Sequence, residues 1–270
     1  MIELRLSRES DVNSLKKLYR SCFEEKEEAL ELFFERIYKP EICYVVEDGG
    51  QIVSMLYFLN TTVNGRRAGY IYAAATKEEF RGTGLMSGLV NFAMATTGAE
   101  LCVTLPAEDS LYDYYQRLGF KPLKINFAEI NRAELERLAT PYEEQEAFIS
   151  GYCGIRNRVL KDNFLFWNNN HIDYAFDYYA LYGAKIIKNN FGYLIALEEN
   201  GVCEVLEIIC ADRNAGFLIN DLLKRTEAES FIFRLSPKQK FILSEEKRFA
   251  MVKYKTDFRP ECIFSGLTLD

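Results

Sequence analysis

The sequence predicts an α+β protein made of two halves with a similar order of elements. Three observations carry that prediction. Apolar residues make up 49% of the 270 residues, enough to build substantial cores. Runs with a period of two alternate with runs of period 3.6, the signatures of strands and helices. The order helix, helix, hairpin, helix, strand occurs twice, with an offset of roughly 120 residues.

The elements follow in order. Ser7, Ser10 and Asp11 are candidate caps for a helix in SRESDVNSLKKLYRSCF, where Val12, Leu15, Leu18, Tyr19 and Cys22 recur at helical spacing. EEALELFFERIY aligns Leu30, Phe33, Phe34, Ile37 and Tyr38 on one side before Pro40 stops it. A meander comes next, ICYVVED, QIVSMLYFLNTTV and RRAGYIYAAAT, turning at Gly49-Gly50 and at Asn64-Gly65. The Asn-Gly pair between two strand-like runs is a strong hairpin signal. After Thr76 the loop KEEFRGTG leads into GLMSGLVNFAMATTG, a helix with Leu85, Met86, Leu89, Val90 and Ala93 on its buried face. LCVTLPA is a strand ended by Pro106, SLYDYYQRLGF a short helix with Gly119 past its end, and KINFAEI a further strand.

A polar stretch containing Pro141 then marks a connection, which divides the chain into a first domain at 1–135, a linker at 136–150 and a second domain at 151–270. In the second domain RNRVLKDNFLFW and IDYAFDYYALYG have helical patterns. FGYLIALEEN and GVCEVLEIICAD are strands around Glu199-Asn200-Gly201, followed by a helix AGFLINDLLKRTEA and a strand SFIFRLS. The aromatic run FDYYALYG is expected to pack in a core, and the asparagines of WNNNH to cap or turn the chain.

Composition excludes several classes of function. The net charge is −7, with 15 basic and 19 acidic residues in 1–130 and 18 and 21 in 131–270, so neither half offers the cationic surface that nucleic-acid binding needs. No apolar run approaches the roughly 18 residues that span a bilayer, and charges occupy the start MIELRLSRESD; no membrane partner and a cytoplasmic location are expected. Seven scattered cysteines without a C-x-x-C pair are consistent with reduced thiols, most of them acting as small apolar residues. With one histidine, His171, no metal site and no Ser-His-Asp arrangement is expected.

Chemistry concentrates in AAATKEEFRGTGLMSGL. Glycines let the backbone turn tightly and approach a ligand, and a helix start presents unpaired N–H groups, which together suit a pyrophosphate. A Gly-x-Gly turn alone also serves in loops that bind nothing. The second piece, SLYDYYQRLGFKP, separates the two readings. Together the pieces resemble the GNAT family of acyl-CoA-dependent N-acyltransferases. Arg81, Gly84 and, imperfectly, Met86 match its Arg/Gln-x-x-Gly-x-Gly/Ala signature, and Tyr115, Gly119 and Phe120 match Tyr-x-x-x-Gly-Phe. The resemblance covers residues 1 to about 130. RGTGLMSGLV is similar to the form in Eis-type acetyltransferases, which carry a second, degenerate copy of the fold, in agreement with the repeat. They also end in a third, sterol-carrier-like domain for which this chain is too short. The resemblance therefore implies two tandem GNAT-like domains, each a mixed, mostly antiparallel sheet flanked by helices.

It also implies a site for acetyl-CoA as co-substrate. Ala74, Ala75 and Thr76 would bond the pantetheine arm where YIYAAAT and LCVTLPA part. The amides of Gly82, Thr83, Gly84, Leu85 and Met86 would hold the pyrophosphate beside Arg81, with Ser110 counted among the cofactor contacts. Tyr115 stands at the family's general-acid position, donating to the departing thiolate; the alternative is a packing residue whose hydroxyl bonds the backbone. No base is assigned. Glu24, Glu25, Glu27, Glu28, Glu31 and Glu35 form either a solvated face or an attraction for a polyamine or aminoglycoside-like acceptor. In Eis-type enzymes the terminal carboxylate, here that of Asp270, enters the active site. The second copy lacks both signatures and is expected not to bind the cofactor. An acetyltransferase acting on a small-molecule or peptide amine leads, ahead of a non-catalytic acyl-CoA binder and an aminoacyl-tRNA-dependent transferase, which the acidic halves disfavour.

Overall fold

A computed structural model describes residues 2–143, 151–260 and 262–268. The chain divides into two compact units, Met1–Pro122 with Ala250–Arg259, and Leu123–Phe249 with Pro260–Asp270. In chain order the elements are β1 Ile2–Leu6, α1 Val12–Cys22, α2 Glu27–Arg36, β2 Cys43–Asp48, β3 Gln51–Val63, β4 Arg66–Thr76, α3 Leu85–Thr97, β5 Leu101–Thr104, α4 Asp109–Arg117 and β6 Lys121–Asn131. They continue with α5 Arg132–Glu136, α6 Cys153–Leu160, α7 Asn169–Leu181, β7 Lys185–Asn189, β8 Gly192–Glu199, β9 Val202–Cys210, α8 Ala215–Leu223, β10 Ser230–Leu235 and β11 Glu245–Tyr254. The protein is α+β, with mixed sheets flanked by helices. Part of the expected linker, 144–150, lies outside the described residues, as does Asp270.

In the first unit the strand order is β1-β2-β3-β4-β5-β11, antiparallel except for the parallel β4–β5 pair. Its hairpins turn where the sequence places them. Asn64 (φ 51°) and Gly65 (φ 75°) are both left-handed, as a two-residue hairpin that follows the sheet's twist requires. Neighbouring strand residues face opposite sides, which sorts the core. Phe58 and Ile71 join α3 and α4 in one cluster with Leu89, Val90, Tyr115 and Met251. On the other face Tyr57 and Tyr72 lie against Phe33 of α2, at ring separations of 4.8 and 5.0 Å.

The second unit has the strand order β6-β10-β9-β8-β7, with β9–β10 parallel and the other pairs antiparallel. Residues 123–131 belong here because β6 pairs with β10 from Asn126↔Leu235 to Asn131↔Ser230. Leu194, Val205, Leu218, Leu222 and Phe233 centre its main cluster. The aromatic run is mostly core, with Phe176, Tyr178 and Tyr179 buried and Tyr182 half-buried. Asn168 caps α7 by accepting from the His171 amide at 3.0 Å.

One helical expectation is corrected. RNRVLKDNFLFW does not form a continuous helix: α6 ends at Leu160, and Lys161 (φ 64°) and Asn163 (φ 53°) break it. The segment beyond bonds distant backbone instead, with the Leu165 amide donating to the Phe264 carbonyl at 3.0 Å and the Phe264 amide to Asn163 at 2.8 Å. Burial of Leu165 and Trp167 accompanies this pairing, which overrides the local spacing.

All seven cysteines are free thiols, and burial pushes Cys43, Cys102 and Cys210 up to about 12 and Cys203 up to about 11. An unfolded chain releases these protons near the ordinary thiol value of about 8.5, so above it the unfolded state binds fewer protons than the folded one. Raised folded values thus give stability that is complete below about pH 8 and lost as the pH climbs towards 12. Urea midpoints are expected to stay level to about pH 8 and to decline from there; a level midpoint up to pH 11 would contradict the burial of these groups.

Candidate active site

The site is built where β4 outruns its neighbour. Ladder pairs join Ala68↔Leu101, Gly69↔Cys102 and Tyr70↔Val103, and then stop, while β4 continues to Thr76. On its other edge Met55 opposes Ala75 but Tyr57 opposes Tyr72, so β4 spends one residue more than β3. That bulge holds Ala73 at φ 47°, a conformation a non-glycine residue adopts only where its surroundings fix it. The result is a strand gap beginning at Ile71. Thr104 borders it, donating its hydroxyl to the Ile71 carbonyl at 3.3 Å.

At the end of β4 a single turn, Glu78–Phe80, feeds Arg81-Gly82-Thr83-Gly84 into α3. Gly82 (φ 76°) and Gly84 (φ 84°) are left-handed, and a Cβ built on either meets nothing within 4 Å. Backbone direction therefore requires these glycines, while packing does not, and the surface over them stays open. Arg81 Nε donates to the Thr76 carbonyl at 3.1 Å and Thr83 Oγ1 to Phe80 at 2.6 Å, which ties the loop to the strand. The first amides of α3 face outward without intrahelical partners. Met86 contributes such an amide while its side chain joins the core, which accounts for a large residue at a position usually small. Ser54 Oγ bonds the Ala75 carbonyl at 3.0 Å and Thr76 Oγ1 at 2.8 Å, so these groups of the strand are already engaged. Ala74, Ala75, Thr76 and Arg81 through Met86 thus form one continuous edge, and Ser110 is exposed in the first turn of α4.

Tyr115 lies on α4, 7% exposed. Gly119 (φ 85°) lets the chain double back, so that the Phe120 amide donates to the Tyr115 carbonyl at 3.0 Å and the two rings meet edge to face at 5.2 Å. This is the physical content of Tyr-x-x-x-Gly-Phe: a helix end that fixes one tyrosine ring. Burial raises Tyr115 to about 12, a hydrogen bond with the Thr104 side chain working the other way. Its hydroxyl is therefore tied to the residue that borders the gap.

Residues 3–123 match the sequence model of the acetyltransferase (GNAT) domain. The chain carries a GNAT domain. Among solved structures it is similar to a GCN5-related N-acetyltransferase from Kribbella flavida, at 15% identity over 94% of this chain and 72% of that one, with a TM-score of 0.67. A GCN5-related N-acetyltransferase from Anabaena variabilis gives 12% identity, 93% and 72% coverage and a TM-score of 0.66. Eis1 from Mycobacterium abscessus gives 13%, 94%, 73% and 0.56. At these identities the likeness is one of fold, and its coverage carries it through the second unit. No curated protein matches the sequence.

The acidic run of the GNAT domain is divided by its partners. Glu31 receives Lys16 at 2.6 Å and Glu27 receives Arg20, a set of exposed ion pairs between α1 and α2. Glu25 is different: its carboxylate accepts from the Tyr19 hydroxyl at 2.9 Å, and Tyr19 bonds Tyr72 of β4, also at 2.9 Å. Nothing in the local sequence signals this chain, since Tyr19 and Tyr72 are 53 residues apart. Beside the Arg81 loop lies a groove of about 530 Å³ lined by Lys17, Ser21, Cys22, Gln51, Lys77 and Arg81 among others.

The second unit shows the same strand plan without the glycine loop, and a groove of about 570 Å³ lies at the end of β9, lined by Cys210, Asp212, Asn214 and Gln239 among others. The parallel β9–β10 ladder stops at Val205↔Phe233, and β9 runs on to Cys210. In place of a glycine loop, Asp212–Asn214 turns into α8. Gln239, 1% exposed, donates to the Ile208 carbonyl at 2.6 Å and accepts from the Ser236 amide at 2.9 Å, occupying the strand edge that β4 leaves open.

Proposed function

We propose that the GNAT domain binds acetyl-CoA and moves its acetyl group to a primary amine by direct attack. The observation that carries this reading is the coincidence of an unpaired β4 edge, an open glycine loop at its end and a tyrosine hydroxyl tied to the rim of the same gap. Ala74, Ala75 and Thr76 receive the pantetheine arm; Arg81 and the amides of Gly82, Thr83, Gly84, Leu85 and Met86 receive the pyrophosphate; Ser110 flanks the arm from α4. A neutral amine attacks the thioester carbonyl, and the C–S bond breaks as the amide forms. At about 12 Tyr115 is a weaker acid than a thiol at about 8.5, so complete proton transfer to sulfur runs uphill. Its contribution is a hydrogen bond that strengthens as charge grows on the leaving sulfur. We place the reaction in the cytoplasm, with a small-molecule or peptide amine as acceptor. The second unit, its strand edge taken by Gln239, does not bind the cofactor.

The test is release of free CoA from acetyl-CoA in the presence of aminoglycosides, polyamines, amino acids and lysine peptides. Steady release with at least one class is expected. Acetyl-CoA binding without release across the whole panel would replace this reading with that of a non-catalytic acyl-CoA binder. Gly82→Val and Gly84→Val probe the loop. Each puts a branched side chain at φ near +80°, which strains the backbone by about 1–2 kcal/mol and covers the amides. The dissociation constant for acetyl-CoA is expected to rise at least about tenfold, more than 1.4 kcal/mol of binding. Unchanged affinity in calorimetry would remove the loop from the site.

A further inference from the structure

Residues 131–270 hold 18 basic and 21 acidic groups, and exposed cations there commonly find a carboxylate: Lys185 pairs with Glu198 at 2.5 Å, Arg234 with Glu204 at 2.7 Å and Lys247 with Glu129 at 2.6 Å. Arg158, Lys161 and Arg213 have no such partner among the described residues, and all three line the groove of about 570 Å³ at the end of β9. Lys238 lines it too; its pair with Asp162 at 3.1 Å joins two exposed side chains, a weak contact that a better anion displaces. One carboxylate, Asp212, shares the lining, and its Oδ2 accepts from the Lys240 amide at 3.0 Å. We infer that this groove binds a diphosphate, carried by a ligand other than acetyl-CoA.

The fold, and not the local sequence, gathers these charges. Arg158 is on α6, and Lys161, at φ 64°, follows the break that ends that helix. Arg213 sits in the turn that enters α8, and Lys238 comes after β10. Like charges around one concavity repel each other, and an anion between them removes that repulsion.

The chemistry of the cations selects the anion. A guanidinium presents parallel N–H groups that match two oxygens of one phosphate or carboxylate. Two unpaired guanidiniums from different segments call for two such groups on one ligand, and the ammoniums of Lys161 and Lys238 are point charges for the remaining oxygens. Two linked phosphates meet that demand. The volume lies in the range of roughly 300–1,000 Å³ usual for small-molecule sites, more than an inorganic ion fills. Ile155, Val159 and Phe191 add apolar surface for an organic part of the ligand, and Phe191 is held by parallel stacking on Phe217 at 4.3 Å.

Acetyl-CoA also carries a diphosphate, but its pantetheine arm finds no open strand edge here, because Gln239 bonds the Ile208 carbonyl. The occupant is therefore a different ligand, and the inference stands apart from the acetyltransferase reading.

Calorimetry with ADP tests it, in full-length Gly82→Val protein so that the glycine loop of the first unit competes only weakly. One ADP per chain is expected to bind at low salt. Adding Arg158→Ala or Arg213→Ala should weaken ADP at least about tenfold, as loss of a charge-assisted, bidentate contact does. Both side chains are exposed and unpartnered, so the melting temperature should stay level, as should the acetyl-CoA affinity of the same substitutions in the wild-type background. Inorganic pyrophosphate separates the sources of the diphosphate: tighter binding of ADP assigns an organic ligand that uses Phe191 and its apolar neighbours, and equal or weaker binding of ADP assigns the phosphates alone. Citrate, whose charges sit on carboxylates, should bind at least about tenfold more weakly than the better of the two. Absence of binding by both ADP and pyrophosphate, affinities that neither arginine variant alters, or citrate binding as tight as theirs overturns the inference.

Discussion

Tyr115→Phe is expected to lower kcat about a hundredfold, the lower end of what one positioned proton donor contributes, while the dissociation constant for acetyl-CoA stays within twofold. The substitution removes one oxygen and keeps the ring that meets Phe120 at 5.2 Å. The Tyr115 carbonyl, which receives the Phe120 amide, is also untouched. Thr104 loses one partner but retains the Ile71 carbonyl, so the gap keeps its rim. A drop in kcat with unchanged binding is then the mark of an interaction made only as the leaving sulfur gains charge. The pH dependence adds a sign. Raised to about 12, the hydroxyl keeps its proton throughout the working range, and the donor is lost only as the pH climbs towards 12. Wild-type kcat should therefore show no alkaline fall below about pH 10 that Tyr115→Phe removes; such a fall, or an unaltered kcat in the variant, would move the donor's role elsewhere.

The difference between what could be seen in the sequence and what could not follows the reach of the interactions. Arg81-Gly82-Thr83-Gly84 and Tyr115 to Phe120 are visible because their geometry is made by neighbours: left-handed glycines, a helix start, a helix end that folds back. Asn64-Gly65 and Asn200-Gly201 are visible for the same reason. β11 is not, because Met251–Tyr254 pairs with Leu101–Thr104, about 150 residues away. β1 and β7 were equally silent. The segment after Leu160 misleads, since its apolar spacing suits a helix while its backbone groups at Asn163 and Leu165 pair with the distant Phe264. The Tyr72–Tyr19–Glu25 hydrogen bonds fail to show for a further reason. Glu25 lies in a run whose other members Glu27 and Glu31 do form an exposed ion-paired face, and composition treats all of them alike. Only the fold turns one carboxylate towards a buried tyrosine.

The largest effect on stability is expected at the one ion pair among the described residues that has no exposed surface. Arg156 and Glu207 are both 0% exposed in the second unit. Arg156 Nε and Nη2 reach Glu207 Oε1 at 3.2 and 3.1 Å, Nη1 donates to the Leu165 carbonyl at 2.6 Å, and the Tyr193 hydroxyl donates to Oε2. Burial opposes the charge on Arg156, and the neighbouring Glu207 more than offsets it, so the guanidinium remains cationic. The backbone at Gly266 lies so close that an added Cβ would fall 2.2 Å from Glu207 Oε1, which leaves no room for water to replace a missing partner there. Glu207→Leu strands a buried cation and is expected to lower the unfolding free energy by about 3–5 kcal/mol. Arg156→Met strands the anion, with a loss of similar size. Replacing both removes the two charges together, and the double variant should recover most of either loss, because an apolar pair of similar volume has no desolvation to repay. Urea unfolding of the four proteins in the cycle measures this coupling. Additive losses, or a single-variant loss below about 1 kcal/mol, would mean that water reaches the pair and that Glu207 does not hold Arg156 against the dry interior.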